Sequence, residues 1–165
     1  MLNNDQTKEI PKADLWLFIA VSAYFVMNGA QLWETALMIP AWTKAPPASL
    51  IFFREPYAPD LKTFWILVHS IHDLSLIAAL VFNWRIPARR NPMLLLIAIH
   101  IGVRAWTLAY FAPTIIEFQQ VPYSDSVDSG LLEKAALWRQ MNYLRVGLFA
   151  LVNLGLAALL RTNSH

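Results

Sequence analysis

The sequence predicts an all-α, integral-membrane four-helix bundle, and three observations support that fold class. Of the 165 residues, 57% are hydrophobic and 15% are charged, whereas a soluble domain usually carries about a quarter charged residues. Four apolar stretches are each long enough to cross a bilayer, which takes about 20 residues of helix. The segments between them are short. We therefore expect residues 1–165 to form a single transmembrane domain without a separate soluble domain.

The four spans are predicted at about 15–38, 62–84, 93–112 and 131–160. Pro11 is a helix-start signal in the polar leader. The apolar run that follows is too long for a signal-peptide core and lacks a cleavage site, so the first span should be retained. Prolines interrupt the connection 43–61. Its apolar middle is compatible either with a lid over the outer end of the bundle or with an ordinary loop. Pro113 is expected to end or kink the third span.

Charge and cysteine content narrow the class of protein further. Lysines and arginines are more frequent at the termini and in the loop 85–92 than in the other two loops. This bias predicts a multi-pass membrane protein with both termini in the cytoplasm. Cysteine is absent, which excludes disulfides and cysteine-ligated metal clusters. The net charge of +2 and the lack of a basic, aromatic-rich run argue against nucleic acid as a partner.

Ionisable side chains interrupt the second span. His69, His72 and Asp73 lie at positions i, i+3 and i+4, which places them on about a third of a helix circumference. Such groups are costly in hydrocarbon and normally face a protein interior or a cavity. The other spans carry polar residues at similar predicted depths. The sequence therefore predicts a shared polar layer that includes Gln31, Glu34, His100, Arg104, Arg139, Asn142 and Arg145.

Three interpretations of this layer remain open. Glu34 or Asp73 could pair with Arg104, Arg139 or Arg145 in a purely structural network. Alternatively, a transition metal could be bound by a set drawn from the histidines and carboxylates, or a haem by two histidines. The candidate metal ligands are His69, His72, His100, Glu34 and Asp73.

The third interpretation is a catalytic cavity without a cofactor. Two carboxylates face three arginines, so the cavity would be net positive and would suit an anionic or enolisable organic ligand. A histidine oriented by Asp73 could act as a general base near neutral pH. An arginine could stabilise the resulting enolate.

Two segments near the end of the chain resemble a known family. These are YFAPTIIEF at Tyr110–Phe118 and LWRQMNYLRVGLF at Leu137–Phe149. They are similar to the anthrone oxygenase-like family of small four-span membrane proteins, formerly a domain of unknown function. Its members show a proline-containing stretch at the end of span 3. They then carry a tryptophan, and an asparagine or histidine followed by arginine, on span 4. The matching positions here are Pro113, Trp138, Asn142 and Arg145.

The resemblance implies a membrane oxygenase that needs neither metal nor flavin. Fungal members oxidise anthrones to anthraquinones: a base removes an activated C–H proton and the carbanion reacts with dioxygen. We therefore expect a hydrophobic aromatic or polyketide-like substrate, with His72 or His69 as base and Asp73 as its orienting partner. Arg145 and Arg104 would stabilise the oxyanion. The expected substrate-binding residues are Gln31, Glu34, Trp65, His100, Trp138, Arg139 and Asn142.

The alternative class is a non-catalytic protein. It would be a lipid-, quinone-, haem- or metal-binding subunit of a membrane complex, or a structural protein. No cofactor is predicted for the leading interpretation, and a haem or a transition metal is the second choice. Membrane lipid is an expected contact for every interpretation, and either a homo-oligomer or a larger complex is compatible with the sequence.

Overall fold

The computed structural model describes residues 4–54, 56 and 58–162, with side chains described from residue 11 onward. Helix α1 runs through Asn4–Trp33, a π-helical turn Glu34–Met38 and Ile39–Thr43. Helix α2 is Leu61–Phe82. Helix α3 comprises Pro87–Trp106, a second π-helical turn Thr107–Phe111 and Ala112–Gln120. Helix α4 is Ser129–Leu159. Each helix contains a stretch long and apolar enough to cross a membrane. The predicted all-α four-helix bundle is confirmed.

Helices α1 and α3 extend well beyond the predicted spans. Helix α1 already begins at Asn4, so the prediction that it begins near Pro11 is wrong. Helix α3 likewise begins at Pro87 rather than near Met93. The reason is that hydropathy identifies the part of a helix that suits lipid. Polar residues such as lysine, glutamate and glutamine are also good helix formers and can prolong the helix outside that part.

Pro113 neither ends helix α3 nor separates it into two elements, because the helix continues to Gln120. A proline inside a helix cannot donate to the carbonyl four residues earlier, and its ring crowds that carbonyl. The π-helical turn Thr107–Phe111 lies directly before Pro113 and locally widens the helix. In helix α1 the turn Glu34–Met38 has the same position relative to Pro40. Both prolines are therefore accommodated within continuous helices.

The four helices pack in the order α2–α1–α4–α3. Helix α1 contacts α2 and α4 extensively and α4 contacts α3, while α2 and α3 make few contacts. The main apolar core lies where these helices meet and includes Leu17, Met27, Leu76, Met93 and Phe149. Large apolar side chains also cover the outside of the bundle. That outer surface suits lipid, and the structure is consistent with a multi-pass membrane protein.

The first part of α1 and the last part of α4 lie at one end of the bundle, called here the terminal end. Arg89 is buried there and links all four helices. Its Nη1 donates to Asp14 Oδ1 of α1 at 2.5 Å and to Asn83 Oδ1 after α2 at 3.3 Å. Its Nε and Nη2 donate to the carbonyl of Thr162, just after α4, at 3.2 and 2.9 Å. Asn83 in turn donates to the carbonyl of Ala13.

The opposite end, called here the loop end, is covered by the connection 44–60. Its short 3-10 helix Ala48–Phe53 places Leu50 in an aromatic cluster with Trp42, Phe118 and Trp138. The connection is also tied to the segment between α3 and α4. Arg54 Nη2 donates to the carbonyl of Val121 at 2.6 Å, and the Asp128 amide donates to the carbonyl of Pro46 at 3.0 Å.

Candidate functional site

The ionisable residues of α2 lie near the middle of the bundle and face neighbouring helices. His69 and His72 are buried, while the Asp73 side chain is 36% exposed. This difference follows from their positions on the helix. His69 and His72 point toward α1 and the core, and Asp73 lies at the seam where α2 and α3 make few contacts. Asp73 can therefore bridge this seam.

A hydrogen-bonded chain joins Tyr24 of α1, His100 of α3 and Asp73 of α2. Tyr24 Oη lies 2.9 Å from His100 Nδ1, and His100 Nε2 lies 3.0 Å from Asp73 Oδ1. A carboxylate can only accept, so the network assigns the imidazole proton to Nε2. Nδ1 then accepts from the tyrosine hydroxyl. Three helices thus contribute to one hydrogen-bonded chain in an apolar interior.

His72 and His69 of α2 lie next to this hydrogen-bonded chain. His72 Nε2 lies 3.2 Å from Asp73 Oδ1, although the two are not aligned as a hydrogen bond. The His72 ring contacts the rings of Tyr24 and His100 edge-on, each with a centroid separation of 5.0 Å. The His69 ring lies 5.3 Å from that of His72. Neither nitrogen of His72, nor Nδ1 of His69, has a hydrogen-bond partner among the described residues. Buried polar atoms of this kind are normally paired.

Three potential ligand atoms in this part of the bundle lie close together. One nitrogen from each of His72 and His100 and a carboxylate oxygen of Asp73 all lie within 4.8 Å of one another. Among the described residues, the group does not include His69 or Glu34, which the sequence also proposed as ligands. The ring centroids of His72 and His100 lie 5.0 Å apart, so a porphyrin does not fit between these two imidazoles.

A second polar group surrounds Arg145 on α4, closer to the loop end. The Arg145 side chain is buried, and its Nη2 donates to Asn142 Oδ1 at 2.6 Å. Asn142 Nδ2 donates to Thr35 Oγ1 on α1 at 3.0 Å. The guanidinium carbon lies 4.3 Å from the ring centroid of Phe111 and 5.9 Å from that of Trp138. Thr35 and Phe111 belong to the two π-helical turns, so this group lies between those turns.

The purely structural ion-pair network considered from the sequence is not formed within the described part of the chain. There, Asp73 lies near His72 and His100, and no carboxylate lies within 4 Å of Arg104, Arg139 or Arg145. Arg139 Nη1 contacts Thr43 Oγ1 at 3.5 Å, which places it nearer the loop end. Arg104 is half-buried one helical turn beyond His100 and makes no hydrogen bond with the described residues.

Glu34 and Trp65 line a cavity of about 240 Å³ between α1 and α2. The other walls are mostly apolar and include Trp33, Met38 and Phe64. The Trp65 ring packs against His69 with a centroid separation of 5.4 Å. The predicted site residues therefore divide into three parts. The histidine group comprises His69, His72, Asp73 and His100, and the arginine group comprises Arg145 and Asn142. The third part is a side cavity whose wall residue Trp65 packs against His69.

Sequence reasoning did not assign Tyr24, Asn28 or Phe149 to the site. Tyr24 completes the hydrogen-bonded chain, Asn28 donates to the carbonyl of Phe149 at 3.4 Å, and the Phe149 ring contacts His69 and His100. A signal for two of them was present. Tyr24 and Asn28 share a polar stripe on α1 with Gln31 and Thr35 at helical spacing. Phe149 carried no such signal, because it resembles any other core aromatic residue.

Comparisons with protein-family models, with curated proteins and with solved structures find no match to this chain. The resemblance to the anthrone oxygenase-like family therefore stays a prediction from the sequence. What the structure establishes is a helical bundle with apolar, span-length helices and a Tyr–His–Asp hydrogen-bonded chain that links three of them. The chain is buried at Tyr24 and His100 and partly exposed at Asp73.

Proposed function

We propose that this protein is a membrane-embedded, cofactor-independent oxygenase of the anthrone oxygenase type. Its substrate would be a hydrophobic aromatic or polyketide-like molecule with an acidic C–H group. The observation that carries the proposal is the hydrogen-bonded chain from buried Tyr24 through buried His100 to the partly exposed Asp73. Polar groups in a membrane interior are expensive, and when they are present they commonly serve proton transfer or ligand binding.

The residues near this chain supply the parts that carbanion chemistry needs. A general base must reach the proton it removes, and its nitrogen must be free to accept it. His69 and His72 both have buried nitrogens without hydrogen-bond partners among the described residues. His69 is the nearer of the two to the side cavity, through Trp65. We assign His69 or His72 as the base, and the Tyr24–His100–Asp73 chain as the group that balances its charge.

The reaction would consume one dioxygen for each substrate methylene. The histidine removes a C–H proton, and the electron pair is delocalised as an enolate. The enolate transfers an electron to dioxygen, the two radicals combine to a peroxide, and loss of water leaves a ketone. The net change is CH2 plus O2 to C=O plus H2O. Arg104 and Arg145 would favour the enolate by their positive charge. Arg104 lies one helical turn beyond His100 on α3.

Oxygen uptake by the purified full-length protein with an anthrone tests the proposal. Tyr24→Phe deletes the hydroxyl that bonds His100, and we expect it to lower kcat by roughly tenfold or more. The matched control is Tyr143→Phe, because Tyr143 is 52% exposed on α4 and should be silent. Circular dichroism establishes that each variant is folded. The proposal fails if folded wild-type protein consumes no oxygen with the anthrone, or if the two variants have equal rates.

A second candidate function is metal binding at His72, Asp73 and His100. It is favoured by the convergence of three ligand atoms within 4.8 Å and by the unpartnered nitrogens of His72. Two imidazoles and a carboxylate suit zinc or ferrous iron. Metal analysis of the purified protein distinguishes the candidates. A stoichiometric metal that is lost in His72→Gln and retained in Tyr24→Phe supports the metal site. Metal-free, active protein contradicts it.

A further inference from the structure

We infer that a groove between helices α1 and α2 at the terminal end binds the headgroup of an anionic phospholipid. This groove, called here the terminal groove, has a volume of about 470 Å³ and is lined by Lys12, Leu80, Val81, Phe82, Trp84 and Arg85. Its volume lies within the range of about 300–1,000 Å³ that is typical of small-molecule sites. None of these lining residues belongs to the histidine group, so the inference does not depend on the proposed oxygenase activity.

The charge of the terminal groove is complementary to a phosphate. Lys12 lies on α1 and Arg85 follows the end of α2, so two different elements each place a positive charge at the groove. Both side chains are exposed. None of the described residues that line the groove is acidic, and Asp14, two residues after Lys12, is paired with Arg89. The described lining therefore carries a net positive charge.

The two charged positions are held beside each other by a buried hydrogen bond. Asn83 is fully buried, and its Nδ2 donates to the carbonyl of Ala13 at 3.0 Å. Ala13 directly follows Lys12, and Asn83 lies two residues before Arg85. The bond therefore fixes the backbone near one cation against the backbone near the other. The pair belongs to a built groove, and does not depend on the chance meeting of two loops.

Aromatic side chains complete the groove. The Phe82 ring stacks on the Trp16 ring of α1, with a centroid separation of 5.7 Å and an interplanar angle of 7°. The Arg90 guanidinium carbon lies 5.6 Å from the centroid of the Trp84 ring, which brings a third positive charge near the groove. Tryptophan is enriched where a membrane meets water. Two tryptophans therefore place the groove at the depth of lipid headgroups.

An apolar stripe runs from the groove along the outside of α2. Leu74, Ile77 and Val81 recur at helical spacing and are 67%, 59% and 62% exposed. A phospholipid can place its phosphate beside Lys12 and Arg85 and an acyl chain on this stripe, whereas a soluble phosphate would gain only the charged contacts. The charge bias of the sequence also predicts a cytoplasmic position for this end, and anionic lipids give that leaflet its negative surface potential. These features favour a lipid over a soluble anion.

Native mass spectrometry of the full-length protein in a neutral detergent tests the inference by measuring the binding of dioleoylphosphatidylglycerol and dioleoylphosphatidylcholine. A lysine or arginine beside an anionic lipid strengthens its binding roughly fivefold. We therefore expect the phosphatidylglycerol to bind roughly tenfold or more tightly than the phosphatidylcholine. Equal binding of the two lipids to the wild-type protein would overturn the inference.

The double variant Lys12→Gln/Arg85→Gln should lose most of this preference. Lys44→Gln/Lys62→Gln is the matched control, because it removes the same charge from exposed positions at the loop end. Circular dichroism establishes that each variant is folded. Loss of the preference in both variants would indicate a general effect of surface charge and would overturn the inference, as would a preference retained in both.

Lys12→Gln alone keeps the inference testable if the double variant does not fold. We expect it to weaken the preference roughly fivefold, and an unchanged preference would contradict the inference. Glycerol phosphate, which carries the same headgroup chemistry without acyl chains, is the soluble probe. It should bind far more weakly than phosphatidylglycerol. Binding of equal strength would assign the groove to a soluble phosphate and refute the lipid.

Discussion

Replacing Arg89 with methionine should destabilise the whole bundle, because this one side chain joins all four helices at the terminal end. Arg89 is 4% exposed and donates four hydrogen bonds. Methionine retains much of its length and apolar stem and removes the donors. The variant therefore separates the loss of hydrogen bonding from the loss of packing.

The magnitude can be bounded in two ways. Hydrogen bonds between membrane helices average about 0.6 kcal/mol each, so four bonds suggest a loss of roughly 2 kcal/mol. Asn83 is fully buried and its Oδ1 also loses its donor, and an orphaned buried acceptor costs about 1–3 kcal/mol. Asp14 adds little because its side chain is 51% exposed and can be hydrated. We expect the free energy of unfolding to fall by about 2–5 kcal/mol.

Unfolding by titration with a denaturing detergent, followed by circular dichroism, measures this difference. Arg90→Met is the matched control: Arg90 is the next residue, is only half-buried, and its Nε bonds the neighbouring Asn91 side chain. We expect the control to change stability by less than about 1 kcal/mol. If Arg89→Met is as stable as Arg90→Met, Arg89 does not hold the helices together and the reasoning is refuted.

Two further predictions concern helix packing and the start of α2. A methyl group on Gly155 would lie 2.7 Å from Leu96 Cδ2 of α3, whereas one on Gly147 meets nothing within 4 Å. Gly155→Ala should therefore be less stable than Gly147→Ala by up to about 1 kcal/mol in the same unfolding assay, because the end of the Leu96 side chain must move. Equal stabilities would contradict a tight, rigid approach of α3 to α4 at Gly155. Asp60 accepts a hydrogen bond from the backbone N–H of Thr63, which lowers the pKa of that carboxyl below its usual value of 3.8. The ionised carboxylate therefore stabilises the folded protein above pH 3.8, and this stabilisation is lost as the pH falls through the lowered pKa. The wild-type protein should accordingly be more stable than Asp60→Asn near neutral pH, and this difference in stability should disappear in acid. A difference that does not depend on pH would refute this role of the carboxylate.

The number and type of the helices followed from the sequence alone. Apolar stretches of span length predict transmembrane helices because a backbone in hydrocarbon must satisfy its own hydrogen bonds. Helix α2, predicted at about 62–84, is observed at Leu61–Phe82. The prolines were less informative. Pro113 predicts a helix end or kink, but neighbouring helices and a widened turn can absorb a proline within a continuous helix.

The grouping of the polar residues required the tertiary structure. Helical spacing shows that His69, His72 and Asp73 share a face, because such residues are close in sequence. It cannot show that His100 meets Asp73 and Tyr24, since those contacts depend on how three helices rotate and pack. Arg145 and Arg89 illustrate the same limit. Both are arginines near apolar segments, yet Arg89 bonds residues from the other three helices or their ends, and Arg145 has no carboxylate in contact among the described residues.

The sequence by itself therefore determined the fold class, the membrane character and the candidate chemistry, because these depend on composition and on periodicity within single helices. Only the tertiary structure decided which candidates act together. Which polar side chains contact one another depends on the packing order α2–α1–α4–α3 and on the rotation of each helix about its axis. Those are set by the packing of the whole apolar surface, and no local pattern records them.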